Sequence, residues 1–229
     1  MPPSPRGPAY RIETERLVLR CFEPADAPAL KRAIDASLGA LVPWLAWARD
    51  EPQSVEAKVE LLRGFRARFD LGRDFFYGLF DPAGEAVLGG AGLHGRGRRA
   101  RSIGYWVHAE HVGQGLACEA AAALVRVGFE VLALERVDLG CDPANERSAA
   151  VARKLGFVHD ATLRARTRRR DGSRADRMVF SMLREDYERS ICSQARLLAL
   201  DALGRTLLDT RQAGSAGSSG PSRPRSAFR

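Results

Sequence analysis

Two short stretches hold residues whose types and spacing suit chemistry. In His111-Val112-Gly113-Gln114-Gly115-Leu116-Ala117-Cys118-Glu119-Ala120, two glycines stand just ahead of an alanine-rich run from about Leu116 to Leu132. A strand-like run, Ile103-Gly104-Tyr105-Trp106-Val107-His108, precedes them. The first N–H groups of a helix have no partner inside it and carry the positive end of its dipole. Glycine lets a ligand approach the backbone closely. Such a turn suits a phosphate or pyrophosphate, although alone it is more often plain structure. A third glycine for a dinucleotide fingerprint is missing, and so is the Gly-Lys-Ser/Thr of a nucleotide-triphosphate loop.

The second stretch follows a strand, Val137 to Cys141, and the link Asp142-Pro143-Ala144. Asn145 is a good N-cap for a short helix, and Ser148 falls in its first turn. Leu155-Gly156-Phe157 ends that helix, with Gly156 as a left-handed cap and Phe157 as its hydrophobic partner.

Together the two stretches carry a resemblance. His108 to Ala120 resembles the acetyl-CoA loop of the GNAT N-acetyltransferases. Asn145-Glu146-Arg147-Ser148 through Lys154-Leu155-Gly156-Phe157 resembles that superfamily's second motif, N-x-x-S followed by K-L-G-F. Within GNAT the chain is similar to the RimJ/RimL-type ribosomal-protein N-terminal acetyltransferases from roughly Glu13 to Glu188. Pro43-Trp44, Tyr77-Gly78-Leu79-Phe80-Asp81-Pro82 and Asp171-Gly172 with Asp176 belong to that similarity.

The resemblance implies transfer of an acetyl group from acetyl-CoA to a primary amine, by direct attack in a ternary complex. The acceptor it favours is a protein or peptide N-terminal α-amine. Two other readings stand beside it: acetylation of a small amine such as an antibiotic, polyamine or amino acid, and a non-catalytic acyl-CoA-binding protein. Backbone N–H groups near Trp106 and Val107 are expected to face the thioester carbonyl. Those of Val112, Gly113, Gln114, Gly115, Leu116, Ala117 and Cys118 are expected to hold the pyrophosphate. Val112 stands where the superfamily often has Gln or Arg.

Asn145 is expected on the CoA arm, and Ser148 as proton donor to the departing thiolate. The plain reading makes Asn145 only a cap and Ser148 only a first-turn residue. Trp44, Tyr105 and His94 are expected on the acceptor side, although Trp44 also suits the edge of a core. Cys118 sits where a thiolate is favoured, but it also suits a small residue replacing the family's common Thr. No metal is implied.

The general base is not evident. Strand 102–108 carries no carboxylate, and Thr167 stands where some RimL-like members place a glutamate. Asp160 matches a family acid by position, and His94 and Tyr105 are candidate relays. A peptide α-amine has a pKa of about 7.7–8.0, so part of it is neutral at pH 7, whereas a lysine near ~10.4 needs more help. This favours an α-amine acceptor.

These residues need a scaffold of matching order. Apolar/polar alternation and turn signals predict strands at Arg16–Arg20, Phe75–Phe80, Ala86–His94, 102–108, 137–141, 157–163 and 178–183. Helices are expected after Asp26 and Ser54, and over the alanine-rich run. The unit 102–108, helix, 137–141 reads as a crossover between parallel neighbours. The fold class is therefore α/β (α+β), a GNAT fold. Its central mixed, mostly antiparallel sheet has about seven strands, one parallel strand–helix–strand unit and helices on both faces.

Four segments are expected: a flexible N-terminus over residues 1–10, an acetyltransferase domain over 11–188, a helical extension over 189–211, and a disordered basic tail over 212–229. The extension's apolar residues suit packing on the domain or self-association as a homodimer.

With 229 residues and 45% hydrophobic content the chain can bury one sizeable core. No apolar run is long enough to span a bilayer, and the N-terminus lacks the apolar segment of a signal peptide. Cys21, Cys118, Cys141 and Cys192 are scattered, which argues against a disulfide framework or zinc site and for a cytoplasmic setting.

The net charge of +8 concentrates in two places. Arg164, Arg166, Arg168, Arg169, Arg170, Arg174 and Arg177 form one basic stretch, and Arg211, Arg223, Arg225 and Arg229 lie in the tail. Such charge suits a solvated face, the CoA phosphates, or docking on an RNA-rich particle such as a ribosome. Aromatic interleaving for base stacking is absent, which argues against nucleic-acid binding as the main function.

Overall fold

The computed structural model describes residues 7–95, 99–169 and 172–211. Its strands are β1 (Arg11–Glu13), β2 (Val18–Cys21), β3 (Phe75–Phe80), β4 (Val87–His94), β5 (Ala100–Val107), β6 (Arg136–Cys141), β7 (Val158–Arg168), β8 (Arg174–Leu183), β9 (Leu198–Leu200) and β10 (Thr206–Asp209). Its α-helices are α1 (Ala27–Leu41), α2 (Val55–Asp70), α3 (Leu116–Glu130), α4 (Glu146–Leu155) and α5 (Arg184–Arg189).

The strands form one sheet in the order β10-β9-β1-β2-β3-β4-β5-β6-β8-β7. β5 and β6 are parallel, as the crossover through α3 requires. The other neighbouring pairs are antiparallel. Alternation along the strands serves both faces. Val18, Phe22, Phe80 and Val87 pack with Leu30, Ile34 and Leu62 of α1 and α2. Tyr77, Leu93, Ile103 and Leu139 pack in the larger core with α3. Ala120 to Val125 of α3 are all buried. A helix apolar on all sides belongs inside the molecule, and its run of alanines keeps it slim enough to lie close on the sheet.

Local signals place the helix ends. Ser54 Oγ accepts from the Ala57 N–H at the start of α2. Gly156 ends α4 at φ 89°, in the left-handed region. Asp26 does precede α1, but its carboxylate is engaged elsewhere. Both its oxygens are held by the Arg20 guanidinium, at 2.7 and 2.8 Å, and one also accepts from the Glu23 N–H.

Two expectations are corrected. The 189–211 extension is not helical beyond α5 and a short 3-10 turn, Ile191–Gln194. It forms the hairpin β9–β10, which pairs with β1, a strand not expected either; these three bring the sheet among the described residues to ten strands rather than about seven. Leu-Ala-Leu and Thr-Leu-Leu satisfy a strand period as well as a helical one, and the open edge of β1 supplies hydrogen bonds that only a strand can use. Asp201 closes the turn by accepting from the Leu203 and Arg205 N–H groups, with Gly204 at φ 73°. The helical face invoked for self-association therefore does not exist.

The N-terminus is also held from Ala9 onward. Ala9 is buried and its carbonyl accepts from Tyr77 Oη at 2.7 Å, while the Tyr10 N–H donates to the Leu200 carbonyl. The expected flexible stretch over residues 1–6, the basic tail over 212–229, Arg170 and Asp171 lie outside the described residues.

Candidate functional site

The parallel pair β5–β6 does not stay together. Its register runs from Ala100↔Arg136 to Ile103↔Leu139 and stops. β5 continues to Val107 paired only with β4. β6 continues to Cys141 paired with β8. A gap thus opens between Gly104–Val107 and Gly140–Cys141. Along it, main-chain groups of β5 on that side are free to bond a ligand.

A cleft of about 910 Å³ runs from this gap to the start of α3. Trp106, Val107, Val112, Gly113, Gly115, Leu116, Ala117, Cys118, Asn145 and Ser148 all line it, as do Trp44, Tyr105 and His94. Gln114 is the exception among the expected residues. Its side chain is not on the wall and donates to the Glu110 carbonyl at 3.2 Å.

Gly113 and Gly115 have φ of 86° and 82°, where a Cβ is strained. A Cβ on Gly113 would meet nothing within 4 Å, so the turn is open to the cleft. It leads directly into the first turn of α3, whose leading amides carry positive potential.

A negative charge, Glu119, lies in that same turn. It is turned away and neutralised by Thr14 Oγ1 at 2.6 Å, the Arg16 N–H at 2.9 Å and Arg16 Nε at 2.7 Å. Arg16 also donates to the Gln114 carbonyl at 2.7 Å, which fixes the loop. Nothing local in the sequence links Arg16 to residues about a hundred positions away.

Arg147 and Lys154 of α4 line the cleft and add positive charge that the motif reading did not single out. Burial pushes the Cys118 thiol up, with Lys154 acting in the opposite direction. Cys118 is thus held as a thiol rather than a thiolate.

Asn145 Oδ1 accepts from the Ser148 N–H at 3.1 Å. The cap therefore uses its oxygen and leaves its amide nitrogen for another partner. Ser148 Oγ lies 3.1 Å from Tyr105 Oη. Burial pushes Tyr105 up to about 12, only partly offset by the bond to Ser148, so it stays protonated. Thr167 lines the cleft but its hydroxyl donates to the Ala175 carbonyl. Asp160 accepts from Ser181 Oγ at 2.9 Å, a bond within the β7–β8 pair.

On the face of the sheet that α1 and α2 cover, a second cavity of about 500 Å³ is walled by Phe22, Leu30, Ile34, Phe65 and Phe76. Its polar members include an ion pair, Lys58–Glu51, whose side chains are only 1% and 2% exposed. The two cavities share Leu45, His94, Gly104, Tyr105 and Trp106. Trp47 meets Trp106 edge-on at 6.2 Å, and Gly90 makes room for the Trp106 ring, whose Nε1 would lie 2.6 Å from a Cβ there. His94 Nδ1 is 2.9 Å from Asp74 Oδ1, a partner the sequence reading missed. Among the described residues no cluster of three or more His, Cys, Asp or Glu could hold a metal.

Such donors suit a diphosphate with a long flexible arm: open amides and two cations at one end, a gap in the sheet at the other. Comparison with known proteins agrees. An acetyltransferase (GNAT) domain model matches residues 16–158. The chain is 28% identical over 177 residues to the putative ribosomal N-acetyltransferase YdaF of Bacillus subtilis, covering 76% of this chain and 94% of that relative. It is 31% identical over 157 residues to the [ribosomal protein uS5]-alanine N-acetyltransferase of Escherichia coli, covering 66% and 79%. Among solved structures, Mycobacterium smegmatis RimJ in complex with CoA-disulfide superposes with a TM-score of 0.69 at 25% identity, covering 81% of this chain and 94% of that one. A domain match over that much of the chain, on a sheet that opens where a thioester arm must pass, settles the family: the chain is a RimJ/RimL-like member of the GNAT superfamily, an N-acetyltransferase dependent on acetyl-CoA.

Proposed function

We propose that the chain acetylates the N-terminal α-amine of a protein or peptide, within a ternary complex. The observation that carries this reading is the meeting of two cavities at Gly104, Tyr105 and Trp106: the large cleft that passes through the gap in the sheet, and the smaller cavity on the face that α1 and α2 cover. One side takes the carrier and the other the acceptor, so the amine attacks directly through the gap.

Acetyl-CoA supplies an activated acetyl thioester. The amides of residues 112–118 hold its pyrophosphate, with Arg147 and Lys154 adding counter-charge. The free main-chain N–H groups near Trp106 and Val107 polarise the carbonyl, where negative charge grows during attack. Asn145 bonds the carrier's arm through its amide nitrogen. Ser148 gives a proton to the departing sulfur and is held in place by Tyr105. Trp44 borders the acceptor's entry.

An α-amine acceptor is supported by the relative named for a ribosomal-protein alanine, and by the lower pKa of such amines, about 7.7–8.0 against ~10.4 for lysine. An acceptor of that kind puts the enzyme in the cytoplasm. The exposed Arg164, Arg166, Arg168 and Arg174 of the β7–β8 hairpin then suit docking on an RNA-rich surface.

The test is a thiol-release screen with acetyl-CoA over peptides of every N-terminal residue and a panel of small amines. Turnover of peptides blocked only at internal lysines supports the reading. Turnover of small amines alone replaces it with the second reading, which the 500 Å³ apolar cavity favours.

A further inference from the structure

We propose that His94 is the proton acceptor for the attacking amine and that Asp74 positions it. The proposal rests on acetyl transfer to a primary amine, and not on which amine is used.

The geometry of the ring comes first. A carboxylate only accepts hydrogen bonds, so Asp74 Oδ1, 2.9 Å from Nδ1, fixes the neutral tautomer with hydrogen on Nδ1. The lone pair is then on Nε2. Among the described residues nothing is hydrogen-bonded to Nε2. The same carboxylate stabilises the imidazolium that forms when Nε2 takes a proton, the division of labour of a base and its orienting acid.

The position of Nε2 comes second. A Cβ on Gly92 would stand 2.6 Å from it, and one on Gly104 would stand 3.3 Å from it. The imidazole therefore lies over two glycines that leave it room, beside Phe76 at 4.7 Å between ring centroids. Gly104 is the first residue of β5 beyond its last pair with β6. Nε2 thus sits at the mouth of the gap, on the wall common to both cavities.

The third point is handedness across the strand. Successive side chains of β5 point to opposite faces. Gly104 and Trp106 share the face of His94, while Tyr105 points to the other, towards Ser148. A proton acceptor on one face and a proton donor on the other match an amine and a thioester arriving from opposite sides.

The acceptor's ammonium gives one proton to Nε2, which later passes it to water. The freed lone pair forms the carbon–nitrogen bond at the carbonyl carbon, and the carbon–sulfur bond breaks. The second proton lost by the nitrogen is matched by the one Ser148 delivers to sulfur. The products are an amide, a thiol and one released proton.

The charged groups around the ring are Asp74 before β3, Arg101 of β5, Arg68 of α2 over Phe76, and Asp50, Glu51 and Lys58 on the smaller cavity's wall. Two measurements test the proposal. Long-range proton–nitrogen NMR of the protein with coenzyme A, with the signal identified by its loss in His94→Gln, should find hydrogen on Nδ1 of the neutral ring. The Nε2-protonated form in the wild type would overturn the proposal, whatever the acceptor.

In steady-state kinetics at saturating substrates, His94→Gln should lower kcat at pH 7 by about a hundredfold or more. That deficit should shrink as pH passes the amine's own pKa. Asp74→Asn should lower kcat by about tenfold and loosen the tautomer, so that the same NMR measurement finds a larger share of the ring with hydrogen on Nε2. A deficit independent of pH, with the tautomer unchanged in Asp74→Asn, would reduce both residues to structural roles. Failure of the α-amine reading shows separately, in which amines the wild type turns over.

Discussion

Tyr105 Oη and Ser148 Oγ stand 3.1 Å apart, bridging β5 and α4 on the side of the sheet away from His94. Tyr105 is pushed up to about 12 by burial, so it remains a hydrogen-bond partner throughout the working range. If Ser148 delivers the proton to sulfur, Ser148→Ala should lower kcat by about tenfold or more and leave the KM for acetyl-CoA nearly unchanged. Tyr105→Phe should cost less, and the double variant should cost less than the two single losses combined, because the residues act as one unit. Wild-type kcat should show no alkaline limb from Tyr105 below about pH 11. Steady-state kinetics of the four proteins against pH decides this.

The loop ahead of α3 owes its shape to backbone conformation. At φ 86°, Gly113→Ala should strain the turn by about 1 kcal/mol. Its methyl group would project into open cleft rather than protein. Affinity for coenzyme A should therefore fall by about tenfold, with only a few degrees' loss in thermal midpoint. Calorimetric titration and a melting curve measure the two effects separately.

Arg16 and Glu119 hold that loop from outside. Their side chains are 47% and 17% exposed, so the ion pair adds little to overall stability. Arg16→Ala should loosen the Gln114 carbonyl and unmask the Glu119 charge near the bound anion. Coenzyme A should bind several-fold more weakly, about 3- to 10-fold, while the melting temperature moves little. Glu119→Gln in the Arg16→Ala background should recover part of the affinity, since it removes the unmasked charge.

The terminal hairpin makes a contrast that a helix would not. Leu197 is fully buried beside β1, whereas Leu203 is 74% exposed in the β9–β10 turn. Leu197→Ala should destabilise the fold by about 3 kcal/mol. Leu203→Ala should stay within about 0.5 kcal/mol of wild type. Urea unfolding of both variants is sufficient, and equal costs would contradict the strand assignment.

The sequence alone was enough for everything that rests on neighbouring residues. Gly113 and Gly115 specify the turn, Asn145 and Gly156 bound α4, and the order of strand, helix and strand around α3 requires a parallel pair. These features depend on backbone conformations and caps that a few adjacent residues control, so motif and local chemistry coincide. Tertiary structure decided the rest. The separation of β5 from β6 after Ile103, the grip of Arg16 on Glu119, the seating of His94 on Asp74 and the second cavity all join segments distant along the chain. The residues 197–209 are the plainest instance. Their apolar pattern fits either a helix or strands, and the unpaired edge of β1 selects strands, because a sheet edge offers hydrogen bonds that no local pattern encodes.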